Sequence, residues 1–148
     1  MKRPTYELKS SDNFSTFEFI SEGPKGKIPK LIQFSTTNYK GVFNLAFGDK
    51  NEETGYLDNT AISNNGGSEK VLITVVRGVY AFTAKNPEVW VYACGSTKSR
   101  TRLYRMGISK FWEEASEDFE IYGQLNDEWE NFRNNIDYDA FLVKRRNT

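Results

Sequence analysis

Between Ser96 and Lys110 the chain carries Lys98, Arg100, Arg102, Arg105 and Lys110 and no acidic residue, although the whole molecule balances 20 Lys and Arg against 20 Asp and Glu. Gly95-Ser96-Thr97 stands just before these cations, where an apolar strand candidate, Val89 to Cys94, runs into a helix. The first turn of a helix leaves backbone N–H groups without intrahelical partners at the positive end of the dipole, and anions bind there. Lys98, Arg102 and Arg105 follow at steps of four and three, so they share one helix face beginning near that end, and Arg100 lies off it. A guanidinium is planar and pairs two-pronged with phosphate or carboxylate. Gly95, Ser96, Thr97, Lys98, Arg100, Arg102 and Arg105 therefore form a candidate anion site for a phosphate-bearing small molecule or an RNA backbone.

A plainer reading competes with it. The arginines would pair with the acids that follow, Glu113, Glu114, Glu117, Asp118 and Glu120, or with a partner subunit, and Gly95 would only make the turn. Exposed pairs of that kind contribute about 0–1 kcal/mol. The segment also lacks the GxxxxGK[ST] pattern of a Walker-type phosphate loop.

Other chemistries are narrowed by composition. The chain has no histidine, which removes Ser-His-Asp and Cys-His nucleophilic catalysis and the usual zinc sites. No loop has the spacing of a carboxylate cage for magnesium or calcium, so neither a metal nor a cofactor is expected. The single cysteine, Cys94, cannot form an internal disulfide, and its place at the end of an apolar strand predicts a buried structural thiol. No stretch has the form of a signal peptide or a bilayer-spanning run, so the expected setting is cytoplasmic, without a membrane partner. Trp90, Trp112 and Trp129, with eight tyrosines, could stack on unpaired bases, but the same rings would equally build an aromatic core.

The elements that must position these residues read as strands in the first half. Tyr6 to Lys9, Phe14 to Ile20, Ile28 to Thr36 and Val42 to Phe47 alternate or are rich in aromatics, with Gly23-Pro24-Lys25-Gly26-Lys27 as a hairpin turn, and together they suggest an antiparallel meander. A short strand is expected at Tyr56 to Ile62. A helix starts at Ser68 and stops at Asn86-Pro87, because the residue before proline is pushed out of helical angles. Val89 to Cys94 is apolar on both faces, which predicts a central strand covered on both sides. A second helix runs from Ser96 or Thr97 to about Glu114, with Thr101, Tyr104, Ile108 and Phe111 inward. Two strands, Phe119 to Gly123 and Tyr138 to Lys144, flank a helical or irregular patch around Glu128 to Phe132.

Read together, Lys70-Val71-Leu72, Thr74-Val75, Phe82, Pro87, Gly95-Ser96-Thr97, Arg100-Thr101-Arg102-Leu103-Tyr104-Arg105, Tyr138 and Ala140-Phe141-Leu142-Val143 resemble an uncharacterised bacterial family, a domain of unknown function with a GST-x-x-RTRLYR core. The resemblance implies a bacterial, cytosolic, stand-alone domain and brings no activity or catalytic residues. The order of elements after Gly67 is also faintly similar to the C-terminal half of acetyl-CoA-dependent N-acetyltransferases, but Asn64-Asn65-Gly66-Gly67-Ser68 lacks their pyrophosphate loop, and topology alone carries no function.

The expectation is one α+β domain over residues 1–148, a mainly antiparallel sheet of about six to eight strands packed by two main helices. Three functions are carried forward: a module binding a phosphate-bearing ligand or RNA, a histidine-free toxin-like enzyme acting on nucleic acid or a phosphorylated substrate, and a structural or protein-interaction domain, including a homo-oligomer.

Overall fold

Turn residues cut this chain into short strands. In the computed structural model, which describes residues 5–12, 14–58, 68–95 and 98–146, the elements run β1 (Lys9–Ser10), β2 (Thr16–Gly23), β3 (Gly26–Thr36), β4 (Val42–Lys50), β5 (Leu57–Asp58), α1 (Ser68–Lys85), β6 (Trp90–Ala93), α2 (Lys98–Lys110), α3 (Trp112–Asp118), β7 (Phe119–Leu125), β8 (Glu128–Asn131) and β9 (Ala140–Arg145). The fold is α+β with a mixed, mainly antiparallel sheet. Two compact units result, Met1–Phe34 with Ala46–Phe82 and Ser35–Leu45 with Thr83–Thr148.

In the first unit the strands follow the order β1-β2-β3-β4, with β5 on β4. Gly23 faces Gly26 across Pro24-Lys25, and Gly26 has φ +91°, which a side chain would resist. Phe17 and Phe19, two apart on β2, are both buried. Phe19 stacks on Tyr6 and Phe47, with ring centroids 5.5 and 6.1 Å apart. Phe34 stacks on Phe82 of α1 at 4.2 Å.

The strand expected over Tyr6 to Lys9 shrinks to Lys9–Ser10 for a local reason. The Tyr6 N–H donates to Thr74 Oγ1 on α1 at 3.0 Å, and the Tyr6 hydroxyl accepts from the Glu22 N–H at 3.2 Å, so side chains take the place of a ladder. A buried ion pair, Lys30 with Asp49, lies between β3 and β4. The strand expected over Tyr56 to Ile62 is present as β5, and its remainder from 59 falls outside the described residues. Helix α1 begins at Ser68 and ends before Asn86-Pro87, where the proline signal predicts its end.

In the second unit β4 pairs parallel with β6 through Val42–Leu45, and β6-β9-β7-β8 follow, each pair antiparallel. Three expectations are corrected here. β6 is buried on one face only: Val91 and Ala93 are covered while Trp90 and Tyr92 are half-exposed. The patch around Glu128 to Phe132 is a strand, because Asn126 and Asp127 adopt φ +52° and +64° in a two-residue turn that sets β8 antiparallel to β7. The second helix breaks at Phe111, which leaves helical angles at φ −108°, ψ 23°, and α3 continues to Asp118 instead of ending near Glu114. Phe111 is thereby buried and Trp112 meets Phe132 at 5.3 Å.

Candidate functional site

Strand β6 ends at Ala93, and Cys94-Gly95 lead toward α2. Ser96, Thr97 and the Arg100 side chain lie outside the described part of the structure. The Gly95 N–H, expected to be free for an anion, donates instead to Thr101 Oγ1 at 3.1 Å. Thr101 is buried, so this contact fixes the angle at which the strand enters the helix. The helix's own threonine thus occupies the Gly95 amide.

The cationic side chains do converge. Lys98, Arg102 and Arg105 line one cleft of about 380 Å³ with Cys94, Gly95, Thr101, Asp137, Tyr138 and Asp139. The last three arrive from the segment just before β9. Arg105 Nη1 lies 2.8 Å from Asp137 Oδ1, with the arginine side chain 23% exposed and the aspartate 80%. Its partner is therefore not among Glu113 to Glu120, the acids nearest in sequence. Lys98 and Arg102 are exposed and make no ion pair with a carboxylate among the described residues. Three cations against two carboxylates leave the lining one positive charge in excess.

Cys94 is exposed, which corrects the expectation of a buried thiol. The pleat explains it: Val91 and Ala93 take the covered face, and Cys94 follows Trp90 and Tyr92 to the other. Its Sγ lies 3.5 Å from the carbonyl oxygens of Gly95 and Asp139. Burial pushes the neighbouring Tyr92 phenol above its ordinary range, and Cys94 and Asp139 add to that.

Tyr138 forms the rigid wall of the cleft. Its hydroxyl donates to Glu130 Oε2 at 2.6 Å and accepts from the Arg133 N–H at 3.1 Å, while Arg133 Nε reaches the same Glu130 oxygen at 2.8 Å. Arg133 and Tyr138 hold the Glu130 carboxyl below its ordinary range, and burial with Glu130 raises the Tyr138 phenol. The Tyr138 ring presses on Gly123 of β7, where an added Cβ would stand 2.5 Å from ring carbons. Tyr104, read as part of the inward stripe, is half-buried, whereas Thr101 and Phe111 of that stripe are fully buried.

Asp137 and Asp139 were not among the expected site residues. Their signal in the sequence is slight, two acids flanking an aromatic just ahead of the last strand. Only the pairing of β9 with β6 brings them beside the start of α2.

A family model described only as a family of unknown function, DUF6934, matches residues 2–146. The chain belongs to this family. The match covers nearly the whole length, first-half strands included, where the resemblance spans Lys70 to Val143, and the family's description assigns no ligand or reaction. Neither the curated proteins nor the solved structures give a match. No helix among the described residues is long and apolar enough to cross a membrane.

Proposed function

We propose that this chain is a binding protein for a phosphate-bearing ligand, a small molecule or the backbone of an RNA, held in the cleft at the start of α2. The observation that supports this reading is the convergence of Lys98, Arg102 and Arg105 on one cleft of about 380 Å³, in a protein whose formal net charge is zero. Small-ligand sites of roughly 300–1,000 Å³ are common. Lys98 and Arg102 supply the exposed donors. Arg105, paired with Asp137, adds the third cation of the lining. Tyr138, braced by Glu130 and Gly123, keeps the wall from closing. A lone cysteine in a histidine-free chain suits a reducing, bacterial cytoplasmic setting.

Calorimetric titration with inorganic pyrophosphate and with nucleotides, across a range of salt, tests the reading. Affinity should fall as salt rises, and Arg102→Ala should lower it about tenfold or more, as for loss of a charged hydrogen bond. An affinity indifferent to both salt and Arg102 removes the cleft as an anion site.

A further inference from the structure

Period-two alternation in the second unit leaves a second surface that the cleft does not use. Val91, Ala93, Ile121 and Phe141 fill the buried face of β6, β7 and β9. Trp90, Tyr92, Tyr122, Leu142 and Lys144 therefore share the opposite face, where Trp90 pairs with Lys144, and Tyr92 with Leu142 and onward to Tyr122. All five are only half-buried, and Trp129 on the edge strand β8 is 41% exposed. The rings are neighbours: Trp90 lies 5.8 Å from Tyr122, and Tyr92 lies 6.2 Å from Trp129 in an edge-on arrangement. Lys144 Nζ sits 5.6 Å from the Trp90 ring. Four aromatic side chains from three strands, β6, β7 and β8, stand half-open side by side, and a contiguous apolar patch of this kind marks an interaction surface.

The geometry points to a stacking platform for single-stranded RNA. This inference rests on the cleft reading for its phosphate contact and adds a surface that the cleft does not contain. Unpaired bases stack on sheet-borne aromatic rings, and each ring accepts any base because every base has a π-face. On the platform itself Lys144 stands opposite Glu120, and the positive excess lies at its margin, where Lys98 and Arg102 lie just past Cys94, which is two residues along the chain from Tyr92. Tyr92 and Cys94 stand two apart on one side of the pleat, and Cys94 lines the cleft, so platform and cleft adjoin. Asn44, Gln124 and Asn131 fringe the same face by register. Their amides offer both donors and acceptors, which suits a ribose 2′-hydroxyl better than a deoxyribose.

The test is fluorescence titration of the full chain with oligouridine of about eight nucleotides, with the matching deoxy-oligomer, and with inorganic pyrophosphate. The unaltered protein is compared with Trp129→Ala, Trp129→Leu and Arg102→Ala. The oligouridine should quench tryptophan emission. Both Trp129 variants should weaken its binding about tenfold while leaving pyrophosphate affinity unchanged, and that unchanged affinity also certifies that the variants fold. Trp129→Leu retains an apolar side chain and removes the π-face, so a loss as large there as in Trp129→Ala follows the ring rather than apolar contact alone.

RNA affinity indifferent to both Trp129 variants, or RNA bound no more tightly than pyrophosphate, overturns the platform and leaves the cleft standing. RNA binding that needs Trp129 but not Arg102, in a protein that ignores pyrophosphate, overturns the cleft and leaves the platform. Equal affinity for the deoxy-oligomer overturns the choice of RNA. A stable dimer that Trp129→Ala dissociates makes the face a self-association surface and overturns the proposal.

Discussion

Replacing Lys30 by methionine should be among the most damaging single changes to the first unit. The Lys30 and Asp49 side chains are 3% and 12% exposed and form an ion pair, with the ammonium 5.7 Å from the Phe47 ring centroid. Methionine keeps most of the volume but leaves the Asp49 carboxylate buried without its cation, a loss that costs about 3–5 kcal/mol. The Lys50–Glu18 pair on the same sheet is an internal control, because its side chains are 31% and 34% exposed. Lys50→Met should therefore cost only about 0–1 kcal/mol.

A domain of this length has a total stability of about 5–15 kcal/mol, so Lys30→Met should lower the thermal midpoint by roughly 6–20 °C. Circular dichroism melts and urea titrations measure both variants. The double change Lys30→Met with Asp49→Leu removes both charges and should recover most of the loss, since well-packed apolar replacements of buried pairs are often neutral. A Lys30→Met midpoint within about 2 °C of the parent, or a double variant no better than the single one, would refute the loss of the Lys30 cation beside a buried carboxylate as the cost.

Four further outcomes follow from the second unit. Gly123→Ala places a methyl 2.5 Å from the Tyr138 ring, so it should destabilise by about 1–3 kcal/mol in chemical denaturation and shift the Tyr138 resonances, and a neutral effect would show that the ring moves freely. Glu130 has a carboxyl held below its ordinary range; its contribution is present above the unfolded value and is lost as pH falls through the folded one, so Glu130→Gln should flatten the acid limb of the stability profile below about pH 5. Tyr138 is shifted upward, which gives the opposite sign, a contribution held below the ordinary phenol value and lost at alkaline pH, and Tyr138→Phe should remove this alkaline dependence and only weaken the acid one, because Arg133 still holds Glu130. Asp137→Asn frees Arg105 and makes the cleft more positive by one charge; pyrophosphate affinity should rise roughly three- to tenfold with little change in stability, and a fall would mean that Asp137 positions the arginine rather than competes for it.

Some of the molecule was legible residue by residue. The absence of histidine settles which catalytic groups the chain does not possess, and no fold can alter that. The Gly23 to Gly26 hairpin and the limits of α1 at Ser68 and before Asn86-Pro87 were equally readable, because they follow from backbone angles that glycine and proline impose on their immediate neighbours. The Asn126-Asp127 turn carried a comparable signal, and weighing it would have turned the irregular patch into β8. The spacing of Lys98, Arg102 and Arg105 placed three cations on one helix face, and they do line one cleft.

What tertiary structure alone decided is where each of these groups finds its partner. Arg105 could have paired with any of five nearby acids, and it pairs with Asp137, 32 positions away, because β9 lies beside β6. Cys94 reads as apolar strand and stands exposed, since the pleat turns it away from Val91 and Ala93. Trp90 and Tyr92 could have been core, and they border an open face because only one side of that strand is covered. Backbone angles and chemical identity are local properties of the chain, whereas strand order sums many distant contacts, and it is strand order that chooses which side chains meet.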